Sequence, residues 1–196
     1  YISNHSSGQM GFALARAAAE AGAVTTLVSG PVALDTPPAV TRRDVTSAVE
    51  MASACEEITD DCDIFIACAA VADYRPAESQ PQKIKQGDET LSLSLVRNPA
   101  IVAGIAARDS APFTVGFAAE TNNVMDYARG KLANKGLDLI VANDVSDPTI
   151  GFNSEENAVT LVWQDGEQVI PQASKDTVAR HIIDQIAAML DKSSSE

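Results

Sequence analysis

The chain has 196 residues, of which 45% are hydrophobic and 21% charged, with a formal net charge of −13 and a pI of about 4.4. This length and balance fit a single globular domain with a sizeable core, and the acidic field opposes nonspecific binding to nucleic acid. No apolar run approaches the roughly 20 residues that a membrane-spanning helix needs, so neither a nucleic-acid nor a membrane partner is expected.

The order of apolar and breaker residues predicts alternating helices and strands. An alanine-rich helix over about 8–21 leads into an apolar strand, Val24 to Val28, which Ser29-Gly30-Pro31 ends. A loop bearing Pro37 and Pro38 precedes a second helix from about Thr46 to Ile58. Asp63 to Ala69 has the short apolar run of a buried strand. Thr90 to Val96 alternates polar and apolar residues over seven positions, predicting a strand with one covered face. Asn98-Pro99 reads as a cap followed by a first-turn proline, opening a helix to about Arg108.

Strand Phe113 to Phe117, a helix over about 122–135 and strand Leu137 to Ala142 follow. Asp165-Gly166 signals a hairpin between Ala158–Trp163 and Gln168–Ile170. A last helix from near Ser174 places Val178, Ile182, Ile183, Ile186, Ala187 and Leu190 on one face, and residues 192–196 form a polar tail expected to fray. The sum is an α/β, three-layer, Rossmann-like fold with a mainly parallel sheet plus a C-terminal hairpin and helix. Residues 1–196 are read as one domain.

Three cysteines, Cys55, Cys62 and Cys68, show no C-x-x-C spacing, which argues for a reducing compartment and a cytoplasmic location. With only His5 and His181 and no Cys/His cluster, no protein-held metal site is expected. No G-x-S-x-G elbow supports a serine triad.

Chemistry concentrates in three clusters. Ser3-Asn4-His5-Ser6-Ser7-Gly8-Gln9-Met10-Gly11 packs amide, hydroxyl and glycine groups against a helix start, where free N–H groups and the dipole favour an anion. Its serines can cap that helix. Ala69-Ala70-Val71-Ala72-Asp73-Tyr74 and Gly116-Phe117-Ala118-Ala119-Glu120-Thr121-Asn122 both follow predicted strands, as does Asn143-Asp144, where α/β folds place their ligands. Cations able to offset the acidic field for an anionic substrate are Lys83, Lys85, Arg97, Lys131 and Lys135. Lys131 and Lys135 share a helix face; spacing alone equally fits a solubilising surface. The segment Arg75 to Thr90 is polar and loop-like.

Together with Lys83-Ile84-Lys85, Arg97-Asn98-Pro99, Ala142-Asn143-Asp144-Val145 and Gly151-Phe152-Asn153-Ser154, these clusters resemble phosphopantothenoylcysteine synthetase in order and spacing. The resemblance implies ligation of 4′-phosphopantothenate to L-cysteine. The carboxylate attacks the α-phosphate of CTP and releases pyrophosphate; the amine of cysteine then attacks the acyl-cytidylate and expels CMP. It implies Asn4 as donor to the acyl oxygen, Lys83 as phosphate partner on a flap, and Ser6, Ser7, Gly8 and Ala70 around the substrate. It implies nucleotide contacts from Ala67, Cys68, Ala69, Asp73, Pro99, Ala100, Ile101, Val102, Phe117, Lys131 and Lys135, with Mg²⁺ bridging the phosphates.

The resemblance further implies a homodimer, for which Thr90–Val96 is the candidate contact unless that strand packs on its own core. A decarboxylase flavoprotein domain is expected as a fusion partner. Relatives carry one more strand and a Gly-Gly-Thr turn ahead of the position of Tyr1, so the domain is expected to lack its first strand here. From the residues alone, a dinucleotide-dependent oxidoreductase of Rossmann type and a non-catalytic nucleotide-binding module remain as alternatives. The absent G-x-G-x-x-G fingerprint counts against the first.

Overall fold

The computed structural model describes Asn4, residues 6–78, Gln82 and residues 91–120, 124–144 and 154–193. Its elements run α1 (Gln9–Glu20), β1 (Thr25–Ser29), β2 (Val40–Asp44), α2 (Ala48–Thr59), β3 (Ile64–Ala67), β4 (Tyr74–Pro76), β5 (Leu95–Arg97), α3 (Ile101–Ala106), β6 (Phe113–Glu120), α4 (Val124–Lys135), β7 (Leu139–Asp144), β8 (Glu156–Trp163), β9 (Gly166–Ser174) and α5 (Lys175–Ser193).

The central sheet has the order β3-β6-β7-β8-β9. β3, β6 and β7 are parallel, whereas β8 and β9 add antiparallel strands. The side-chain period of two sorts β7 between two cores. Leu139 and Val141 meet Leu14 of α1 and Val178, Ile182 and Ile186 of α5. Ile140 and Ala142 meet Ala128 and Leu132 of α4 and Val102 of α3. Burial on both faces explains the continuous apolar run Leu139 to Ala142, and each such fully buried aliphatic side chain contributes about 1.5–3 kcal/mol.

Helix α2 starts at Ala48 rather than Thr46, because Ser47 caps it. The Ser47 hydroxyl accepts from Glu50 N at 3.2 Å, and the Glu50 carboxylate accepts from Thr46 N at 2.8 Å. These backbone and hydroxyl bonds hold the Glu50 carboxyl below its ordinary pKa. The hairpin closes at the pair Trp163–Gly166, with Gln164 and Asp165 as its turn. A Cβ on Gly166 would lie 2.7 Å from the Trp163 ring, so glycine is needed there for close approach.

Several expectations change. Val40–Asp44 is a strand, parallel to β1, where a loop was expected. Its polar sequence hides it, since its arginines serve ion pairs: Arg42 with Asp44 at 2.7 Å and Arg43 with Glu57 at 2.6 Å. Within Thr90–Val96, only Leu95 and Val96 belong to a strand, β5, which pairs antiparallel with β4. Leu91 and Leu93 are 65% and 55% exposed, so the described part of this run does not pack on its own core. Thr90 lies outside the described residues.

Asn98-Pro99 does not start a helix. α3 has Ala100 as its N-cap without a side-chain cap bond, and it ends at Ala106. α5 continues to Ser193, so the expected tail is helical for its first two residues.

The parallel layer is also interrupted. β1 pairs with β2 and β3 with β6, but among the described residues no ladder joins β1 to β3. Both strands border one cavity of about 2530 Å³, and β3 is only half-buried along its length.

Candidate functional site

The cavity reaches from the β1–β3 gap to the carboxyl ends of β3, β6 and β7. It far exceeds the roughly 300–1,000 Å³ of an ordinary ligand site.

α1 opens there. Gly8 is its N-cap at φ 76°, and Phe12 N donates to Gly8 O at 3.1 Å. A Cβ on Gly8 would lie 2.9 Å from Val32 Cγ1, so the position requires glycine for both backbone and space. The N-cap position is Gly8, which has no side chain to cap α1, and Ser6 Oγ accepts from Gly8 N at 3.3 Å. The first turn holds no acidic residue, leaving the positive end of the helix suited to an anion.

Asn4 lies across from the loop after β3. Its Nδ2 donates to Val71 O at 3.4 Å, bringing the carboxamide beside Ala70. That loop is itself clamped. Asn98 Nδ2 donates to Ala72 O at 2.7 Å, Asn98 N to Asp73 O at 2.8 Å, and Arg75 to both Arg97 O and Asn98 Oδ1. Arg97 stacks 6.0 Å from the centre of the Tyr74 ring. These bonds link the loop at the end of β3 to the approach of α3.

Asn4, Ser6, Ser7, Gly8, Ala67, Cys68, Ala69, Ala70, Asp73, Pro99, Ala100, Ile101, Val102, Phe117, Lys131 and Lys135 all line the one cavity. Lys83 and Lys85 lie outside the described residues, as do Thr121, Asn122, Val145 and residues 151–153. Burial pushes the Cys68 thiol up to about 12 against the attraction of Lys175, which keeps it protonated and unreactive at neutral pH. Burial in turn lowers the Lys175 ammonium below its ordinary range; its Nζ donates to Gln9 Oε1 at 3.2 Å. Among the described residues no three acidic, histidine or cysteine side chains gather as a metal cage.

Sequence reasoning missed the clamp. Asn98 carries a capping signature, and only the placement of Ala72 and Arg75 shows that its carboxamide serves a loop instead. It also gave no individual role to Asn143, whose buried Oδ1 has no hydrogen-bond partner among the described residues.

One cavity of this α/β domain is thus bordered by the N-terminus of α1, a loop held by side-chain amides and two lysines of one helix, a set suited to an anionic ligand. The profile of the DNA/pantothenate metabolism flavoprotein C-terminal domain matches residues 1–190, and the chain belongs to that family. It is 57% identical over 197 aligned residues to the coenzyme A biosynthesis bifunctional protein CoaBC of Escherichia coli K12, covering 98% of the chain and 48% of the relative. The CoaBC of Bacillus subtilis strain 168 is 42% identical, covering 96% and 47%. The chain thus spans about half the length of the curated relatives it matches.

The crystal structure of the C-terminal domain of a CoaBC protein superposes with a TM-score of 0.81 at 38% identity, covering 96% of the chain and 86% of that domain. A DNA/pantothenate metabolism flavoprotein from Streptococcus pneumoniae shares the fold with a TM-score of 0.80 at 24% identity.

Proposed function

We propose that the chain is a phosphopantothenate–cysteine ligase domain that uses CTP. The observation that carries this is membership of the family, together with the bond from Asn4 to the Ala69–Asp73 loop beside the start of α1, on a cavity that Lys131 and Lys135 also line.

Each element suits one step. Activation places negative charge on phosphate oxygens, and the N–H groups at the start of α1 and the two α4 lysines favour that charge. Mg²⁺ would ride on the nucleotide phosphates, with the protein contributing few direct ligands. Acyl transfer builds charge on the acyl oxygen, and the Asn4 carboxamide, beside Ala70, is a neutral donor for it. Lys83 is assigned to the phosphates in activation. The contact from Asn4 Nδ2 to Val71 O at 3.4 Å supports this reading.

The wider arrangement follows the relatives. CoaBC proteins are bifunctional, which supports a fused flavoprotein decarboxylase in the whole protein, acting in the cytoplasm. The exposed Leu91, Leu93, Leu95 and Val96 beside Tyr74 support a homodimer built on this hairpin. The unjoined edges of β1 and β3 support one further strand between them in the single domain.

The deciding experiment incubates the full-length protein with CTP, Mg²⁺, 4′-phosphopantothenate and L-cysteine and follows CMP and pyrophosphate. Release of both, dependent on the acid and the amino acid, supports the ligase. A thermal-shift panel separates the alternatives: stabilisation by NAD rather than CTP points to an oxidoreductase, and stabilisation by CTP without turnover to a binding module.

A further inference from the structure

Asn143 stands near the carboxyl end of β7, opposite Ala119 of β6 and Val159 of β8. Its Oδ1 is buried and has no hydrogen-bond partner among the described residues. A buried acceptor left unpaired is uncommon in native proteins and disfavours the folded state. The residues facing it across the ladder are apolar. Asn157, two positions before Val159 on β8, directs its amide to Met10 Sδ at 4.0 Å.

The alternation along β7 fixes where the carboxamide sits. Leu139 and Val141 face α1 and α5, and Asn143 is the next position on that face, where the core gives way to the cavity. α1, which leads from Ser6, Ser7 and Gly8, packs on this side through Met10, Ala13 and Leu14. Helices α3 and α4, through Val102 and Leu132, cover the opposite face with Ile140 and Ala142, while Cys68 and Phe117 share the face of Asn143.

We infer that Asn143 is a substrate-contacting residue, whose Oδ1 accepts a hydrogen bond from an N–H or O–H of the non-nucleotide substrates of the cleft. The inference rests on the ligase proposal for the identity of those substrates. The donor chemistry is shared by two sources, the amide and hydroxyl groups of the pantothenoyl chain and the amine of cysteine. A ligand-reserved acceptor explains why the site keeps a polar group that the fold leaves unsatisfied: the cost is carried by the ligand-free protein and removed on binding.

The test replaces Asn143 by Leu, nearly isosteric and without polar atoms, in the full-length protein. Asn143→Leu should leave the ligand-free melting temperature unchanged or raised. It should raise the KM for 4′-phosphopantothenate or for L-cysteine by roughly tenfold or more while leaving that for CTP within about twofold; which of the two rises identifies the donor. Asn143→Thr, which keeps a hydroxyl acceptor, should recover part of the loss.

A lowered melting temperature with all three KM values unchanged would show a structural asparagine and overturn the inference. A change confined to CTP would overturn it as well. If the wild-type protein shows no ligation, the ligase proposal fails separately, and calorimetric titration of 4′-phosphopantothenate and L-cysteine into wild type and Asn143→Leu still decides whether Asn143 binds either.

Discussion

Gly8→Ala tests how the anion-facing end of α1 is built. The residue sits at φ 76°, where an L side chain costs about 1–2 kcal/mol. The new methyl would also lie 2.9 Å from Val32 Cγ1. Val32 is partly exposed and can shift, so the crowding adds on the order of 1 kcal/mol. A loss of about 2–3 kcal/mol in a chain of this size corresponds to a fall in melting temperature of roughly 4–12 °C.

Calorimetry on the single variants and on Gly8→Ala/Val32→Ala separates the two causes. Trimming Val32 should return the crowding share, a coupling of about 1 kcal/mol, and leave the backbone share. Activation of 4′-phosphopantothenate should fall too, because Gly8 N–H and the first turn of α1 no longer hold their geometry. A melting temperature within about 1 °C of wild type together with zero coupling to Val32 would refute the reasoning.

Asn4→Asp should impair cysteine transfer while sparing activation, since a carboxylate repels the charge growing on the acyl oxygen; acyl-cytidylate accumulating in mass spectra is the expected sign, and equal loss of pyrophosphate release counts against the role. Lys83→Gln should slow single-turnover formation of acyl-cytidylate by roughly 10²-fold, with Lys85→Gln milder; an unchanged rate removes Lys83 from the phosphate site. Lysine at both Leu91 and Leu93, which are exposed in the single chain, should give folded monomers in sedimentation if the hairpin joins two copies, and a double variant that stays dimeric with native circular dichroism contradicts that contact.

What was legible in the residues follows local rules. The buried strand β7 reads as an unbroken apolar run because both its faces are covered. α5 reads from its 3.6-residue stripe, and the hairpin from Asp165-Gly166 between alternating segments. That the loop carrying Ala70 follows the carboxyl end of a strand was also foreseeable, because an apolar run ends just before it.

Other features depend on contacts between residues far apart in the chain. β2 is polar after Val40, and it is a strand because β1 lies beside it and Glu57 answers Arg43. Asn98 carries a helix-cap signature, yet Ala72 and Arg75 come close enough to claim its carboxamide and α3 starts at Ile101. Leu91 and Leu93 alternate as a covered strand would, but both stay largely exposed in the described chain.

Sequence by itself determined which stretches could bury a face and which loops would carry polar chemistry, because propensity and periodicity act over a few residues. The tertiary structure alone decided which amides pair with which carbonyls, and that among the described residues no ladder joins β1 to β3 and the buried Asn143 Oδ1 has no partner. Those outcomes depend on the spatial meeting of groups tens of residues apart, and no local pattern encodes it.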